Sequence, residues 1–265
     1  MKPTTAGSLC RVEQRDFAGR TVLITGAGGG VGRSLVAIFE SRGAELILCD
    51  QSAEAIAGFN AKARSVFNLL DRRQTAAAAA EIVESYGVPD VLVNNAGWTR
   101  AETMDALDTE RLGAEIDLNL TGVMTFTDNI LKAMVARGSG SVVFISSVNA
   151  LLHFGNPAYA AAKAGINAYA RAIAVEYGKH GIRANSVCPG SIRTPAWDHR
   201  LQRDAAIPGK LSRLYPLGRI VETSEVAEAV AFLASSRASG ITGVALPVDA
   251  GLTAGNRPFI DEILG

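Results

Sequence analysis

The stretch TVLITGAGGGVGRSLVAIFE, residues 21–40, decides how this chain is read. Its first five residues are apolar and β-branched, as a buried strand requires. Glycines follow at Gly26, Gly28, Gly29, Gly30 and Gly32, with Val31 between the last two. After them Val31, Leu35, Ile38 and Phe39 recur at three- and four-residue steps, a helical spacing, and Gly43 is placed to end that helix. A strand that runs through a glycine turn into a helix can hold an anion. The bare backbone approaches closely, and the helix N-terminus offers free amides and a positive dipole end. The pattern is G-x-x-x-G-x-G on Gly26, Gly30 and Gly32, not G-x-G-x-x-G, because position 31 is Val.

Outward from this unit the same alternation continues. Short apolar runs stand at 45–49, 63–67, 90–95, 141–146, 182–188 and 245–249, and helical stretches lie between them at 72–86, 105–137 (with an irregularity near Gly122), 157–179 and 223–235. The five consecutive alanines at 76–80 are read as a helix face packed close to a sheet. Alternating strand and helix predicts an α/β fold: a doubly wound parallel sheet of Rossmann type, about seven strands, with helices on both faces. No linker and no internal repeat divides the chain. The expectation is a loose N-terminal arm over 1–18 and one dinucleotide-binding and catalytic domain over 19–265.

Composition narrows the function. The 265 residues carry 26 Lys and Arg against 26 Asp and Glu, so the basic footprint of a nucleic-acid binder is missing. No apolar run reaches the length of a membrane span, and residues 1–16 lack the apolar core of a signal peptide. The three cysteines, Cys10, Cys49 and Cys188, form no disulfide framework, and three scattered histidines suggest no metal site. A cytoplasmic globular protein with a small-molecule substrate, and with no nucleic-acid or membrane partner, is expected. Asp50 ends the second strand, 24 positions after Gly26, where a carboxylate accepts hydrogen bonds from an adenosine ribose and repels a 2′-phosphate. No Lys or Arg occupies 27–31 or directly follows Asp50, so NAD is expected over NADP.

Four further motifs follow in order: DVLVNNAG (90–97), SVVFISS (141–147), Tyr159-Ala-Ala-Ala-Lys163 and PGSIRT (189–194). With the glycine loop, the set resembles the single-domain short-chain dehydrogenase/reductase family over residues 18–252. Chemistry supports the likeness. Tyr159 and Lys163 are four apart and share a helix face. A phenol near pKa 10 is a poor base at neutral pH, and a neighbouring ammonium is expected to favour its phenolate. A phenol so tuned can take an alcohol proton while hydride leaves for the cofactor.

The resemblance implies the remaining roles. A serine binds the substrate oxygen; counting back from Tyr159 gives Ser146, and the strand end gives Ser147. A loop shortens by one residue more easily than a strand slips, so Ser147 is the choice. Asn119, in DLNLTG, would hold a water that relays protons from Lys163. Asn95, Ala96 and Gly97 would line the ribose. Pro189, Gly190, Ile192 and Thr194 would form the loop at the nicotinamide. The turn after the third strand departs from the family's Asp-Val: it reads Asn68-Leu69, which implies a weaker hydrogen bond to adenine.

Specificity is expected from loops 98–104, 148–155 and 193–217, with Trp98, Asn149, Leu152, His153, Phe154, Trp197, His199 and Tyr215. Asn149, with Ser147 and Tyr159, is taken as substrate-binding. The aromatic and polar mixture favours a compact secondary alcohol, ketone, polyol or sugar. Charges on the lid (Arg193, Asp198, Arg200, Arg203 and Asp204) nearly balance, so no anionic substrate is required. The reading is an NAD-dependent secondary alcohol/ketone oxidoreductase. The alternatives are a non-catalytic nucleotide-sensing regulator and an NADP-dependent ketoacyl-type reductase. An enoyl reductase is disfavoured because its Tyr and Lys sit further apart, and an extended epimerase because little chain follows the last motif. Apolar residues on the two long helices (Val123, Phe126, Ile130, Tyr169, Ile173 and Ala174) suggest an outward face, and the C-terminal ALPVDAG run with PFIDEIL after it a second contact, hence a homotetramer, with a dimer as the fallback.

Overall fold

A computed structural model describes residues 15–99, 103–194 and 206–264. Every apolar run of the sequence forms a strand: β1 (Thr21–Thr25), β2 (Glu45–Asp50), β3 (Ala63–Val66), β4 (Val91–Asn94), β5 (Gly140–Ile145), β6 (Ile182–Pro189) and, after a small ribbon of β7 (Ile192–Arg193) with β8 (Val221–Glu222), β9 (Ala245–Val248). The main sheet is parallel in the order β3-β2-β1-β4-β5-β6-β9. The chain therefore moves outward from β1 in one direction, then restarts on its other side at β4. Loops leaving β1 and β4 diverge there, which opens a crevice at the carboxyl ends of the strands.

Both faces are covered, which explains the continuous apolar runs. Alternate residues of one strand enter different cores. Val22 and Ile24 pack with Leu35, Val36 and Phe39 of α1 (Gly30–Ser41) and with Val226 and Val230 of α8 (Thr223–Ala234). Leu23 packs into the opposite core, with Ala79 and Ile82 of α3 (Arg72–Tyr86), Phe126 and Ile130 of α5 (Gly122–Arg137), and Ile166 and Ile173 of α6 (Pro157–Tyr177). The alanine run puts Ala78 and Ala79 against the sheet, as read. Asp71 starts α3 by accepting from the amides of Arg73 and Gln74. The remaining α-helices are α2 (Ala53–Ile56), α4 (Thr109–Ile116), α7 (Ile207–Leu214) and the short α9 (Arg257–Phe259).

Three expectations are corrected. Residues 15–18 are not loose: Phe17 is fully buried, its ring lies edge-on to Phe39 at 4.8 Å, and its amide donates to the Arg42 carbonyl. One aromatic inside a polar run carries no periodicity, so the sequence hides it. The helix expected from 105 begins at Thr109, with Asp108 as its cap; the irregularity expected near Gly122 is there, as a five-residue π-turn at Asp117–Thr121 between α4 and α5. Third, the outward face does not exist as drawn. Val123, Phe126, Ile130, Ile173 and Ala174 are buried within the chain, and Tyr169 packs against the same core, stacked edge-on to Phe144. Two helices meeting one sheet and each other need a wider apolar stripe than a surface helix does.

Candidate active site

The glycine loop is shaped by what lies against it. Gly26 has φ +63°, and a Cβ there would sit 2.8 Å from the Ala96 Cα; at Gly32 it would sit 2.1 Å from the Gly26 carbonyl oxygen. Gly29 caps α1 without a side chain, so the first amides of the helix meet no side-chain acceptor from their own cap. Thr25 Oγ1 accepts from the amides of Asn95 and Ala96, and Asn95 Nδ2 donates to the carbonyls of Thr25 and Gly26. The end of β4 is thereby stapled to the loop after β1. Asp50 Oδ2 accepts from the Gly28 amide at 2.9 Å and Oδ1 from the Ser52 amide. These features fit a dinucleotide: an uncapped helix start beside bare backbone for the pyrophosphate, and a carboxylate at the position of the ribose.

The loop after β6 closes over this cradle. A Cβ on Gly30 would lie 3.1 Å from Thr194 Cγ2. Pro189 ends β6, Gly190 donates to the Val248 carbonyl, and Ile192 is half-buried in the β7–β8 ribbon. Val31 is half-buried at the start of α1. On the far side, the Asn68 side-chain oxygen accepts from the Leu70 amide, and Leu69 is buried. The amide oxygen expected to meet adenine is thus partly engaged in its own turn.

Tyr159 and Lys163 lie one turn apart on α6, with the ammonium nitrogen 5.5 Å from the Tyr159 ring centre. Lys163 is buried and donates to the Ile145 carbonyl at 2.9 Å. Gly97 makes room for the pair of groups behind it, since a Cβ there would lie 3.1 Å from Lys163 Nζ and 2.8 Å from Asn119 Oδ1. Ser147 lies near enough to the Tyr159 phenol to oppose the rise in its pKa, whereas the Ser146 hydroxyl donates to the Lys163 carbonyl. Asn149 supports Ser147: its amide donates to Ser147 Oγ, its side-chain oxygen accepts from the same hydroxyl at 3.3 Å, and its Nδ2 donates to the Gly155 carbonyl.

Asn119 stands in the π-turn, fully buried. π-turns often mark functional positions in helices. Its oxygen accepts from the Trp98 amide, and its Nδ2 is shared among the Trp98 carbonyl, the Glu115 carbonyl and Glu115 Oε2.

Electrostatics departs from the expectation. Burial pushes the Tyr159 phenol up to about 12, with the charges of Glu115 and Cys188 adding to the rise and the Ser147 hydrogen bond opposing it. Burial also pushes Lys163 down to about 8, opposed by Cys188 and Glu115. Desolvation thus outweighs the attraction expected between ammonium and phenolate, Lys163 being buried and Tyr159 half-buried.

Of the specificity residues, Trp98, Leu152, His153 and Phe154 are exposed and Asn149 half-buried. Tyr215 is buried and accepts from the Ser191 amide, so it holds the loop after β6 instead of facing the crevice. Arg193 is near Glu222 across the small ribbon, at 3.7 Å. Trp197, Asp198, His199, Arg200, Arg203 and Asp204 lie outside the described residues. Among the described residues no group of three or more His, Cys, Asp or Glu could hold a metal, and no helix is long and apolar enough to cross a membrane. The reading of the motifs overlooked Thr25, Gly28 and Glu115. Thr25 directly precedes the first glycine and Gly28 lies within the glycine run, so position could have found them. Glu115, four residues before Asn119, carries no signal beyond helical spacing.

Comparison with known proteins places this arrangement. A family model described as enoyl-(acyl carrier protein) reductase matches residues 26–253. An uncharacterised oxidoreductase of Schizosaccharomyces pombe is 39% identical over 249 residues, covering 92% of this chain and 95% of that protein. The crystal structure of an oxidoreductase of the short-chain dehydrogenase/reductase family from Burkholderia thailandensis superposes with a TM-score of 0.85 at 39% identity, over 92% of this chain and 97% of that one. A gluconate 5-dehydrogenase from Burkholderia cenocepacia, solved with NADP and tartrate, gives 0.84 at 32% identity, over 92% and 98%.

Proposed function

Because this chain belongs to the short-chain dehydrogenase/reductase family, we propose that it interconverts a compact secondary alcohol and its ketone, with NAD as the preferred cofactor. The observation that carries the reading is the Tyr159–Lys163 pair one turn apart on α6, the ammonium nitrogen 5.5 Å from the ring centre, with Ser147 beside the phenol. The nicotinamide cofactor, when bound, accepts or supplies the hydride, and its oxidised ring adds a positive charge that favours the phenolate. Ser147 Oγ hydrogen-bonds the substrate oxygen and fixes it against Tyr159. In oxidation the Tyr159 oxygen takes the hydroxyl proton; in reduction it returns a proton to the carbonyl oxygen. Lys163 stabilises the phenolate from a site held by the Ile145 carbonyl. Asn119, on the far side of Gly97, marks the route by which the proton reaches solvent.

The four-residue separation of Tyr159 and Lys163 favours an alcohol/ketone reaction over enoyl reduction. The NAD preference rests on Asp50, half-buried beside the Gly28 amide. The NADP bound to the gluconate 5-dehydrogenase favours the alternative, an NADP-dependent reductase. Initial rates with NAD and NADP across secondary alcohols, polyols, sugars and their ketones decide. The expected result is turnover with a higher kcat/KM for NAD, and a narrower preference in Asp50→Ser. A higher value with NADP overturns the cofactor assignment. No turnover with either cofactor overturns the enzyme reading and leaves the nucleotide-sensing regulator.

The expected compartment is the cytoplasm, consistent with free, buried Cys49 and Cys188. The expected assembly is a homotetramer, now resting on the exposed Val175 of α6 and on Phe259, Ile260 and Ile263 near the C-terminus. Light scattering that finds only a 27.7 kDa species rejects it.

A further inference from the structure

We propose that Glu115 is a positioning residue for this reaction: it clamps the Asn119 amide and holds a carboxylate charge at the edge of the Tyr159–Lys163 pair. The inference rests on the dehydrogenase reading above and deepens it. Glu115 is the penultimate residue of α4, half-buried, and reaches Asn119 twice, through its own carbonyl and through Oε2, each at 3.0 Å from Asn119 Nδ2. The double contact spans the junction where the α-helix gives way to the π-turn. Asn119 Oδ1 in turn points at the space behind Gly97 that Lys163 Nζ also approaches. One carboxylate, one amide and one ammonium thus converge behind the phenol.

The surrounding charges single out Glu115. On its own helix, Arg111 is paired with Asp108; in the π-turn, Asp117 is paired with Arg72. From α6 come Tyr159 and Lys163 themselves. From β6 comes Cys188, whose charge acts in the same sense once its thiol ionises, an event that burial delays. Glu115 is the carboxylate whose charge reaches both groups. Beyond the dominant effect of burial, its charge holds protons on both Tyr159 and Lys163. Removing that charge lets both groups lose protons at lower pH.

The test compares Glu115→Gln, which keeps an acceptor for Asn119 and removes the charge, with Glu115→Ala, which removes both. The pH dependence of alcohol oxidation is the first readout. Both variants are expected to shift the rising limb to lower pH by about half a unit, and only the alanine variant to lose about three- to tenfold in kcat as well, with KM for the cofactor unchanged in both. The second readout needs no turnover. Trace labelling of the cofactor-free protein with acetic anhydride, read at Lys163 by mass spectrometry across pH, is expected to give a lower titration midpoint in Glu115→Gln. An active wild type whose limb and Lys163 midpoint do not move in either variant overturns this proposal alone. A wild type inactive on every alcohol and ketone overturns the reading beneath it as well.

Discussion

The two ends of the crevice are built in different ways. At the cofactor end, between β1 and β4, nearly every polar group answers to backbone: Thr25 and Asn95 staple the strand ends, and Asp50 holds the Gly28 amide. At the substrate end, Trp98, Leu152 and Phe154 stand 57%, 52% and 42% exposed. The first end is shaped by backbone that tolerates few side chains, and the second by side chains on backbone that tolerates many. Tyr159, the proposed acid–base group, lies in the first turn of α6, the helix that follows the 148–155 loop.

The severest break is at that residue. Tyr159→Phe deletes only the phenol oxygen, and turnover is expected to fall by about 10² or more, the scale of general acid–base catalysis, while cofactor affinity measured by nucleotide fluorescence stays near wild type. Retained turnover removes Tyr159 from the mechanism.

A matched pair then tests the contrast. In Gly32→Ala the added methyl meets the Gly26 carbonyl oxygen at 2.1 Å, inside any allowed contact. A loss of about 2–3 kcal/mol in urea unfolding is expected, with cofactor binding lost. Phe154→Ser, at the other end, is expected to change stability by no more than about 0.5 kcal/mol and to act on the KM for the alcohol. Equal stability losses in the two variants erase the distinction.

The same contrast explains what could be read from the residues alone. The strands were legible because both faces of the sheet are buried, so 22–24, 46–49 and 91–93 are apolar throughout. The cradle was legible because close backbone approach admits only glycine at Gly26 and Gly32. The proposal of Ser147 over Ser146 comes from the rigidity of strand register, against the residue count from Tyr159. Phe17 and Glu115 were not legible, because each acts through one contact made far along the chain or one turn along a helix. The charge balance at Tyr159 was misjudged for a related reason: the sequence supplies the ammonium, and burial, which decides the sign, exists only in the fold. The surplus of apolar residues on α5 and α6 likewise measured how many neighbours those helices have inside the chain.

The Phe17–Phe39 contact has a practical side. Phe17 bonds to Arg42, just past the end of α1, and the glycine loop lies at the start of the same helix. Twelve residues of helix separate them, about 18 Å at 1.5 Å per residue. The described chain is therefore anchored at the pole opposite the catalytic mouth. A bead, electrode or fusion partner attached upstream of that anchor holds the molecule by its base, with the crevice turned toward the bulk solution and its diffusing substrate.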